Sequence, residues 1–219
     1  MKRVVIIGDS LSMPRPNDFI LYEDTYPYLL QQRYEVINRS RRANDTKQQS
    51  SEQNLLDDIE LLNPDIVIIY LGIVDCAPRL FTKNESRILS LIPSYLRNKI
   101  VSLFSKKRML ITKIRKISYV DKYMFKKNLL KIIERIGSDR KIIFINIKEC
   151  KKLDEKSFSF NKQIRDYNNI ISEFSKKSNV NLIDVNHLNI TYPLLDDNIH
   201  ISKEMHLCLH DKILDLIND

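Results

Sequence analysis

The sequence predicts an α/β fold in which a five-stranded parallel sheet is covered by helices. Several of five short runs are almost continuously apolar, which is typical of strands buried on both faces of a parallel sheet. Segments with helical periodicity separate these runs, and such alternation is typical of right-handed crossovers between parallel strands. With 219 residues, 43% of them hydrophobic and 29% charged, the chain can bury a good core as a single domain spanning residues 1–219.

The predicted elements follow one another as a parallel sheet requires. The predicted strands are Val4–Ile7, Tyr34–Asn38, Ile66–Leu71, Ile142–Ile147 and Val180–Val185. The predicted helices are Tyr26–Arg33, a segment from Ser50 to Leu62, Asn161–Lys176, and about Lys203 to Ile217. Ser50–Gln53 matches a capping box, Pro27 suits a first helical turn, and Ser202 is a candidate cap of the last helix.

The connection between the third and fourth strands, about residues 76–140, is longer than a simple crossover needs. It contains helical patterns around Ile88–Leu91, Tyr95–Phe104, Met109–Ile117 and Lys122–Ile136. We interpret it as an inserted helical subdomain or lid within the same domain.

This insertion is also the basic part of a chain whose formal net charge is +8. Between Arg97 and Lys131 twelve cations face a single acid, Asp121. A solvated helix surface is the simplest interpretation. An anionic membrane surface or a polyanionic glycan is the alternative partner, and nucleic acid is disfavoured because no recognition motif accompanies the charge.

The N-terminus, the longest apolar runs and the cysteines bear on the cellular location of the protein. Lys2 and Arg3 precede only four apolar residues, so no secretory signal is expected, and no apolar run approaches the ~18 residues of a membrane span. Three cysteines provide neither a disulfide framework nor zinc spacing. We expect a cytoplasmic protein, with the membrane periphery as the alternative.

Two short motifs at opposite ends of the chain carry candidate chemistry. Ser10 follows the first strand, and Asp197 lies three residues before His200. A serine hydroxyl becomes a nucleophile when a histidine removes its proton and a carboxylate orients that histidine. The alternative for Ser10 is a helix cap. His206 and His210 have helical spacing, but no further ligand pattern supports a metal site, and no metal is expected.

These motifs resemble those of the SGNH/GDSL hydrolase family. Gly8–Leu11 matches its nucleophile block, Asp197–His200 its Asp-x-x-His block, and Gly72–Asp75 stands where the family has Gly-x-Asn-Asp. The resemblance implies a flavodoxin-like three-layer α/β/α sandwich with strand order 2-1-3-4-5. It also implies ester hydrolysis or acyl transfer through an acyl-serine intermediate at Ser10, with no cofactor.

The sequence departs from the family in the residues that would bind the oxyanion. Val74 replaces the usual asparagine, and losing one such donor costs roughly 2.7–4 kcal/mol of transition-state stabilisation. Ser40, in the position of the family's usual glycine, still offers its backbone N–H. The candidate oxyanion or substrate contacts are Ser40, Gly72, Asp75, Arg41, Arg42, Asn44 and Arg79. For the three arginines and Asn44, the alternative is an ordinary surface polar residue.

The substrate expected from this resemblance is an acylated small molecule or glycan. Residues 71–79 resemble a variant found in bacterial hydrolases linked to surface polysaccharides, which favours an O-acetylated carbohydrate. One alternative is a lipolytic esterase with a lipid-facing lid. Another is a catalytically impaired scaffold that binds a glycan or a protein partner, for which Val74 is the main argument.

Overall fold

The sheet forms as the sequence predicts. The computed structural model describes residues 1–218 and contains five parallel strands in the order β2-β1-β3-β4-β5. The strands are β1 Arg3–Gly8, β2 Glu35–Asn38, β3 Ile66–Tyr70, β4 Lys141–Ile145 and β5 Val180–Ile183. In the register of the sheet, Val5 pairs with Ile37 of β2 on one side and with Val67 of β3 on the other.

The central strands form the core because their side chains are apolar on both faces. β1 and β3 are almost wholly buried, whereas the edge strand β2 is only half-buried. This burial pattern is the one expected for a sheet covered by two helical layers.

Eleven helices are found within residues 1–218. They are α1 Tyr26–Leu30, α2 Thr46–Gln49, α3 Glu52–Leu55, α4 Ile73–Cys76, α5 Lys83–Leu91, α6 Ser94–Lys106, α7 Arg108–Arg115, α8 Lys122–Ile136, α9 Lys151–Lys156, α10 Phe160–Phe174 and α11 Lys203–Asn218. Helix α1 packs against α11, and α8 packs against α2 and α10. Because the strand order reverses at β1, right-handed crossovers place α1 on the opposite face of the sheet from α8 and α10.

The helix predicted from Ser50 to Leu62 begins at Glu52, and a separate short helix, α2, precedes it. Asp45 accepts the N–H of Gln48 and caps α2, and Ser51 accepts the N–H of Asn54 and caps α3. Because two capping residues lie only six positions apart, two short helices form one after the other. A π-helical turn over Leu56–Glu60 then continues α3.

The long connection after β3 has two different parts. Helix α8 buries one apolar face, which comprises Phe125, Leu129, Ile132, Ile133 and Ile136. It therefore serves as the crossover helix between β3 and β4. Helices α5, α6 and α7, residues 83–115, bury no apolar side chain. We call these three the outer helices; they are the part of the predicted insertion that lies outside the two covering layers.

Candidate active site

Ser10 lies at the carboxyl edge of the sheet, directly after β1. Asp9 fixes the turn there, because its Oδ1 accepts the N–H of Leu11 at 2.8 Å. Gly8 is required by close packing, since a Cβ at this position would lie 2.6 Å from the Oγ of Ser40 and 2.7 Å from that of Ser12. The sharp end of β1 thus presents Ser10 at an edge where ligand sites form in open α/β sheets.

Ser10, His200 and Asp197 form one hydrogen-bonded chain. The Oγ of Ser10 lies 2.9 Å from Nε2 of His200, and Nδ1 of His200 lies 2.5 Å from Oδ2 of Asp197. The other oxygen of Asp197 accepts the backbone N–H groups of Ile199 and His200, each at 2.9 Å. These distances are the ones that a Ser-His-Asp triad requires, so the imidazole can remove the serine proton.

The carboxylate of this chain is held in its charged form. Burial opposes ionisation of Asp197, but hydrogen bonds from His200 and Ile199 outweigh it and lower the pKa of Asp197. Nη2 of Arg15 lies 3.8 Å from Oδ2 of Asp197 and adds a positive charge nearby. An ionised Asp197 can fix the imidazole tautomer and stabilise the imidazolium that forms when His200 takes a proton.

A small cavity of about 180 Å³ opens beside Ser10. Residues 13–18 and Arg42 complete its walls. Arg15 pairs with Asp18 at 2.7 Å, whereas Arg42 has no carboxylate within salt-bridge distance among residues 1–218. The cavity therefore combines a nucleophile with an unneutralised guanidinium.

The backbone N–H of Ser40 is already engaged in this structure. It donates to Oδ1 of Asn38 at 3.0 Å, while the buried Oγ of Ser40 has no partner within residues 1–218. The N–H of Ser10 opens a 3₁₀ turn, and the first N–H groups of a helical turn have no partner inside it. Ser10 is therefore better placed than Ser40 to offer a free N–H beside its own Oγ.

Two of the predicted substrate contacts are structural. Both terminal nitrogens of Arg41 bind the buried carboxylate of Asp58, at 2.7 and 2.8 Å. Asn44 is fully buried, and its amide donates to the backbone oxygen of Gly8 at 3.1 Å and to Gln49 at 3.0 Å. Both residues brace the loops around β1 instead of facing the cavity.

Arg79 also has internal contacts. Its guanidinium donates to the backbone oxygen of Val74 at 3.1 Å and lies over the ring of Tyr119, 4.3 Å from the centroid. Of the four polar residues considered as substitutes for the missing asparagine, Arg42 is the one that lines the cavity with Ser10.

The third motif of the resemblance supports the loop after β3. Gly72 has φ of +129°, and a Cβ there would lie 2.8 Å from Cδ1 of Ile147. Asp75 is buried, and its Oδ1 accepts the N–H of Thr46 at 3.0 Å and the Thr46 hydroxyl at 2.6 Å. Burial raises the pKa of Asp75 to about 7. In this arrangement Asp75 holds α2 against α4 and does not reach a substrate.

The two remaining histidines of the last helix do not converge. His206 is buried, its Nδ1 accepts the N–H of Tyr26 at 3.3 Å, and burial lowers its pKa to about 4. His210 contacts Asp211 instead. Across residues 1–218 no group of three histidine, cysteine or acidic residues is arranged to hold a metal ion.

Two residues near the site were not found from the sequence. Arg15 reaches both the cavity and Asp197, and the ammonium of Lys156 donates to the backbone oxygen of Asp197 at 2.8 Å. Arg15 stands between Pro14 and Pro16, a signal of a rigid loop that draws attention to it. No local signal marks Lys156, because its contact joins segments far apart in the chain.

The chain is similar to known proteins in both family and fold. A model of the GDSL-like lipase/acylhydrolase family matches residues 6–207, and no curated protein matches the chain. The lipase/acylhydrolase from Enterococcus faecalis is 17% identical with a TM-score of 0.65, and the alignment covers 99% of this chain and 95% of that one.

Two acetylxylan esterases have similar folds. A catalytic mutant of Axe2 from Geobacillus stearothermophilus is 18% identical with a TM-score of 0.60, and the alignment covers 98% of this chain and 93% of that one. The acetyl xylan esterase AlAXEase is 17% identical with a TM-score of 0.65, with 98% and 99% covered. Identities this low show the fold alone. The family match extends over most of the chain, and the protein belongs to the GDSL-like lipase/acylhydrolase family as a serine hydrolase that acts on ester bonds.

Proposed function

We propose that this ester hydrolase removes a short acyl group, of acetyl size, from a carbohydrate. The observation that carries this proposal is the cavity beside Ser10, which has a volume of about 180 Å³ and whose walls include Arg15, Asp18 and Arg42. Pockets that enclose larger ligands measure roughly 300–1,000 Å³ and are mostly apolar. The acetylxylan esterases among the structural neighbours act on an acetylated carbohydrate by name and support the same substrate class.

In the proposed reaction Ser10 is the nucleophile and His200 is first the general base. Oγ of Ser10 forms a bond to the ester carbonyl carbon while its proton passes to Nε2 of His200, 2.9 Å away. Asp197, which is hydrogen-bonded to Nδ1 on the other side of the ring, stabilises the imidazolium. The tetrahedral intermediate then expels the sugar oxygen, which takes the proton from His200 and leaves an acyl group on Ser10.

Water completes the cycle. His200 removes a proton from the water, whose oxygen attacks the acyl carbon; Ser10 leaves and recovers its proton, and a carboxylic acid is released. If a sugar hydroxyl takes the place of this water, the same steps transfer the acyl group instead of hydrolysing it.

We further propose that Arg42 replaces the missing asparagine in stabilising the oxyanion. The N–H of Ser10 provides one donor, and Arg42 is the unneutralised cation in the wall of the same cavity. Replacement of Arg42 by alanine should lower kcat on an acetyl ester by about 10²–10³-fold with a smaller change in KM. Arg33→Ala is the matched control, because Arg33 is exposed at the opposite, amino-terminal edge of the sheet. An unchanged kcat in R42A would exclude this role.

The proposed function is tested with a series of p-nitrophenyl esters from acetyl to octanoyl, and with acetylated xylan. We expect kcat/KM to be highest for acetyl and to fall as the chain lengthens. Ser10→Ala should reduce the rate by at least about 10³-fold while the circular dichroism spectrum stays unchanged. A fluorophosphonate probe should label the parent protein and not this variant. Absence of labelling at neutral pH would instead favour a scaffold without catalysis.

Lipolysis is the second candidate, because the outer helices expose apolar side chains such as Leu91 and Leu103. A lid of this kind would favour long acyl chains. If kcat/KM rises strongly from acetyl to octanoyl, the carbohydrate proposal is wrong and lipolysis takes its place.

A further inference from the structure

The outer helices hold an unusual share of the exposed apolar surface. Of the nineteen large apolar side chains that are exposed within residues 1–218, nine lie between positions 88 and 114. They are Ile88, Leu91, Tyr95, Leu96, Val101, Leu103, Met109, Leu110 and Ile114. Single exposed apolar residues are normal, but a concentration of this kind marks an interaction surface.

The same helices carry the net charge of the protein. Residues 83–115 contain nine lysines and arginines and one acid, a formal charge of +8 that equals the net charge of all 219 residues. The rest of the chain is therefore formally neutral. The single acid, Glu85, is bound by Arg115 at 2.6 Å.

Most of these cations have no counter-charge. In the part of the chain that the structure describes, no carboxylate lies within 4.0 Å of seven of them. One of the seven, Arg108, donates instead to Pro78 and Ser157. The other six are Arg87, Arg97, Lys99, Lys106, Lys107 and Lys113. Cations that find no carboxylate in the fold are available to a negatively charged partner.

Apolar and cationic side chains share the exposed helix faces. On α6, Tyr95, Lys99 and Leu103 follow one another at intervals of four and lie on one side of the helix. On α7, Leu110 and Ile114 are neighbours on the outer side, opposite the buried Thr112. Each outer helix thus presents leucine, isoleucine or tyrosine mixed with lysine or arginine.

Other residues hold the outer helices to the body of the protein. Arg108 donates to the backbone oxygen of Pro78 at 2.9 Å and to the hydroxyl of Ser157 at 2.6 Å. Arg115 donates to the backbone oxygen of Leu80 at 2.8 Å. Phe104 packs on Phe81 with ring centroids 4.9 Å apart. The outward faces take no part in these attachments, so nothing in the fold accounts for their composition.

We propose that the outer helices dock this enzyme on the surface of an anionic lipid bilayer. Helices that lie in a membrane interface insert leucine and aromatic side chains among the lipids while lysines and arginines meet the anionic head groups. A soluble polyanionic glycan would match the cations but not side chains such as Leu91, which is 85% exposed. No helix within residues 1–218 is long and apolar enough to cross the bilayer, so the proposed contact is peripheral.

The proposal is tested by sedimentation of the full-length protein with lipid vesicles. One set is pure phosphatidylcholine, and in the other about a third of the lipid is phosphatidylglycerol. We expect binding to the anionic set only, weakening as salt is raised. Failure to bind anionic vesicles at low salt would overturn the proposal.

Two variants separate the contributions of charge and apolar contact. Lys99→Gln with Lys106→Gln should weaken binding by more than about tenfold, since each cation near an anionic surface contributes roughly fivefold. Lys122→Gln with Lys126→Gln is the matched control, because these two lysines of α8 pair with Asp166 and Glu173 of α10. It removes the same charge and should leave binding almost unchanged.

The apolar variant combines Leu91→Ser, Leu103→Ser and Ile114→Ser, one on each outer helix. It should also weaken vesicle binding by more than about tenfold, whereas Leu61→Ser, at a site 70% exposed elsewhere, should not. Activity on a soluble acetyl ester should remain unchanged in all these variants, which verifies their folding.

Two other binding partners of the outer helices, a polyanion and a second copy of this chain, would give different results. If the apolar variant binds vesicles as well as the parent does, and soluble polygalacturonate competes fully, the surface binds polyanions and not a bilayer. If light scattering shows a dimer that the apolar variant abolishes, the surface covers a second copy of this chain. Either result would overturn the membrane proposal.

Discussion

Helix α8 and the outer helices belong to one continuous basic stretch of sequence, but their side chains meet different surroundings. On α8 the apolar face is buried against the sheet, and four cations bind carboxylates of neighbouring elements. These four are Lys122, Lys126, Lys131 and Arg135. On the outer helices the apolar side chains are exposed and seven cations have no carboxylate partner in the described part of the chain.

This difference separates two uses of the same amphipathic pattern. A helix whose apolar side packs on a sheet stabilises the fold, and acids nearby cancel its charge. A helix with the same composition but no partner contributes little to stability and keeps its charge for another molecule. Measurements that compare the two regions directly can therefore confirm or break the distinction.

The largest expected difference is in the stability of the fold. Phe125 of α8 is fully buried and packs on Tyr167 with ring centroids 4.8 Å apart, so Phe125→Ala should lower the free energy of unfolding by about 3–5 kcal/mol. Leu103→Ala, at a position 59% exposed on α6, should change it by about 0.5 kcal/mol or less. Urea unfolding followed by circular dichroism measures both. Similar losses in the two variants would show that the outer helices are part of the core.

The next difference concerns pH, because each region has a carboxyl group with a shifted pKa. Asp75 is tied to α8 through Thr46, whose hydroxyl accepts the side-chain amide of Asn128 at 3.1 Å, and burial raises the pKa of Asp75 to about 7. The folded state therefore binds more protons than the unfolded state between about pH 4 and 7, and stability falls as pH rises through that range. In Glu85 the hydrogen bond from Arg115 lowers the pKa to about 2, so its contribution is lost only below about pH 4.5.

We expect Asp75→Asn to remove part of this pH dependence. The difference in unfolding free energy between Asp75→Asn and the parent should shift in favour of the variant by on the order of 2–3 kcal/mol from pH 5 to pH 7.5. Glu85→Gln serves as the comparison, and its free energy of unfolding should change with pH in parallel with that of the parent over the same interval. Burial also raises the pKa of Asp9 to about 7, and the charge of Asp75 adds to that rise, so the difference reports Asp75 together with its effect on Asp9. If the unfolding free energies of Asp75→Asn and the parent change with pH in parallel, the raised pKa of Asp75 is contradicted.

These two regions also show which features of the structure can be predicted from the sequence. The five strands and the helical layers are predicted correctly because apolar periodicity reports which side of an element is buried. The meeting of Ser10 and His200 is predicted from the place of Ser10 at the carboxyl end of β1 and from the family resemblance, which pairs it with the Asp-x-x-His block ahead of the last helix. Periodicity does not report what a face packs on. Lys99 and Lys122 look alike in the sequence, and only folding brings Asp166 to the second of them.

The same reason limits prediction of the site. Arg41 and Arg42 are neighbours in the sequence, yet Arg41 binds the buried Asp58 while Arg42 lines the cavity with Ser10. The contact of Arg15 with Asp197 joins positions that are far apart in the chain. Such pairings depend on distances across the fold, which neither spacing nor composition contains.

The smallest expected effect concerns the ion pairs that neutralise α8. Lys122 and Asp166 lie 3.1 Å apart at an exposed position, so a double-mutant cycle with Lys122→Gln and Asp166→Asn should give a coupling of about 0.2–1 kcal/mol that fades in high salt. Lys99→Gln alone should leave stability unchanged. A small coupling means that the acids around α8 cancel its charge, while its buried apolar face holds it in place. A coupling above about 2 kcal/mol would instead show that the ion pairs help to hold α8 in place. The outer helices, whose cations mostly lack carboxylate partners, would then lack this source of stability as well as carry uncompensated charge.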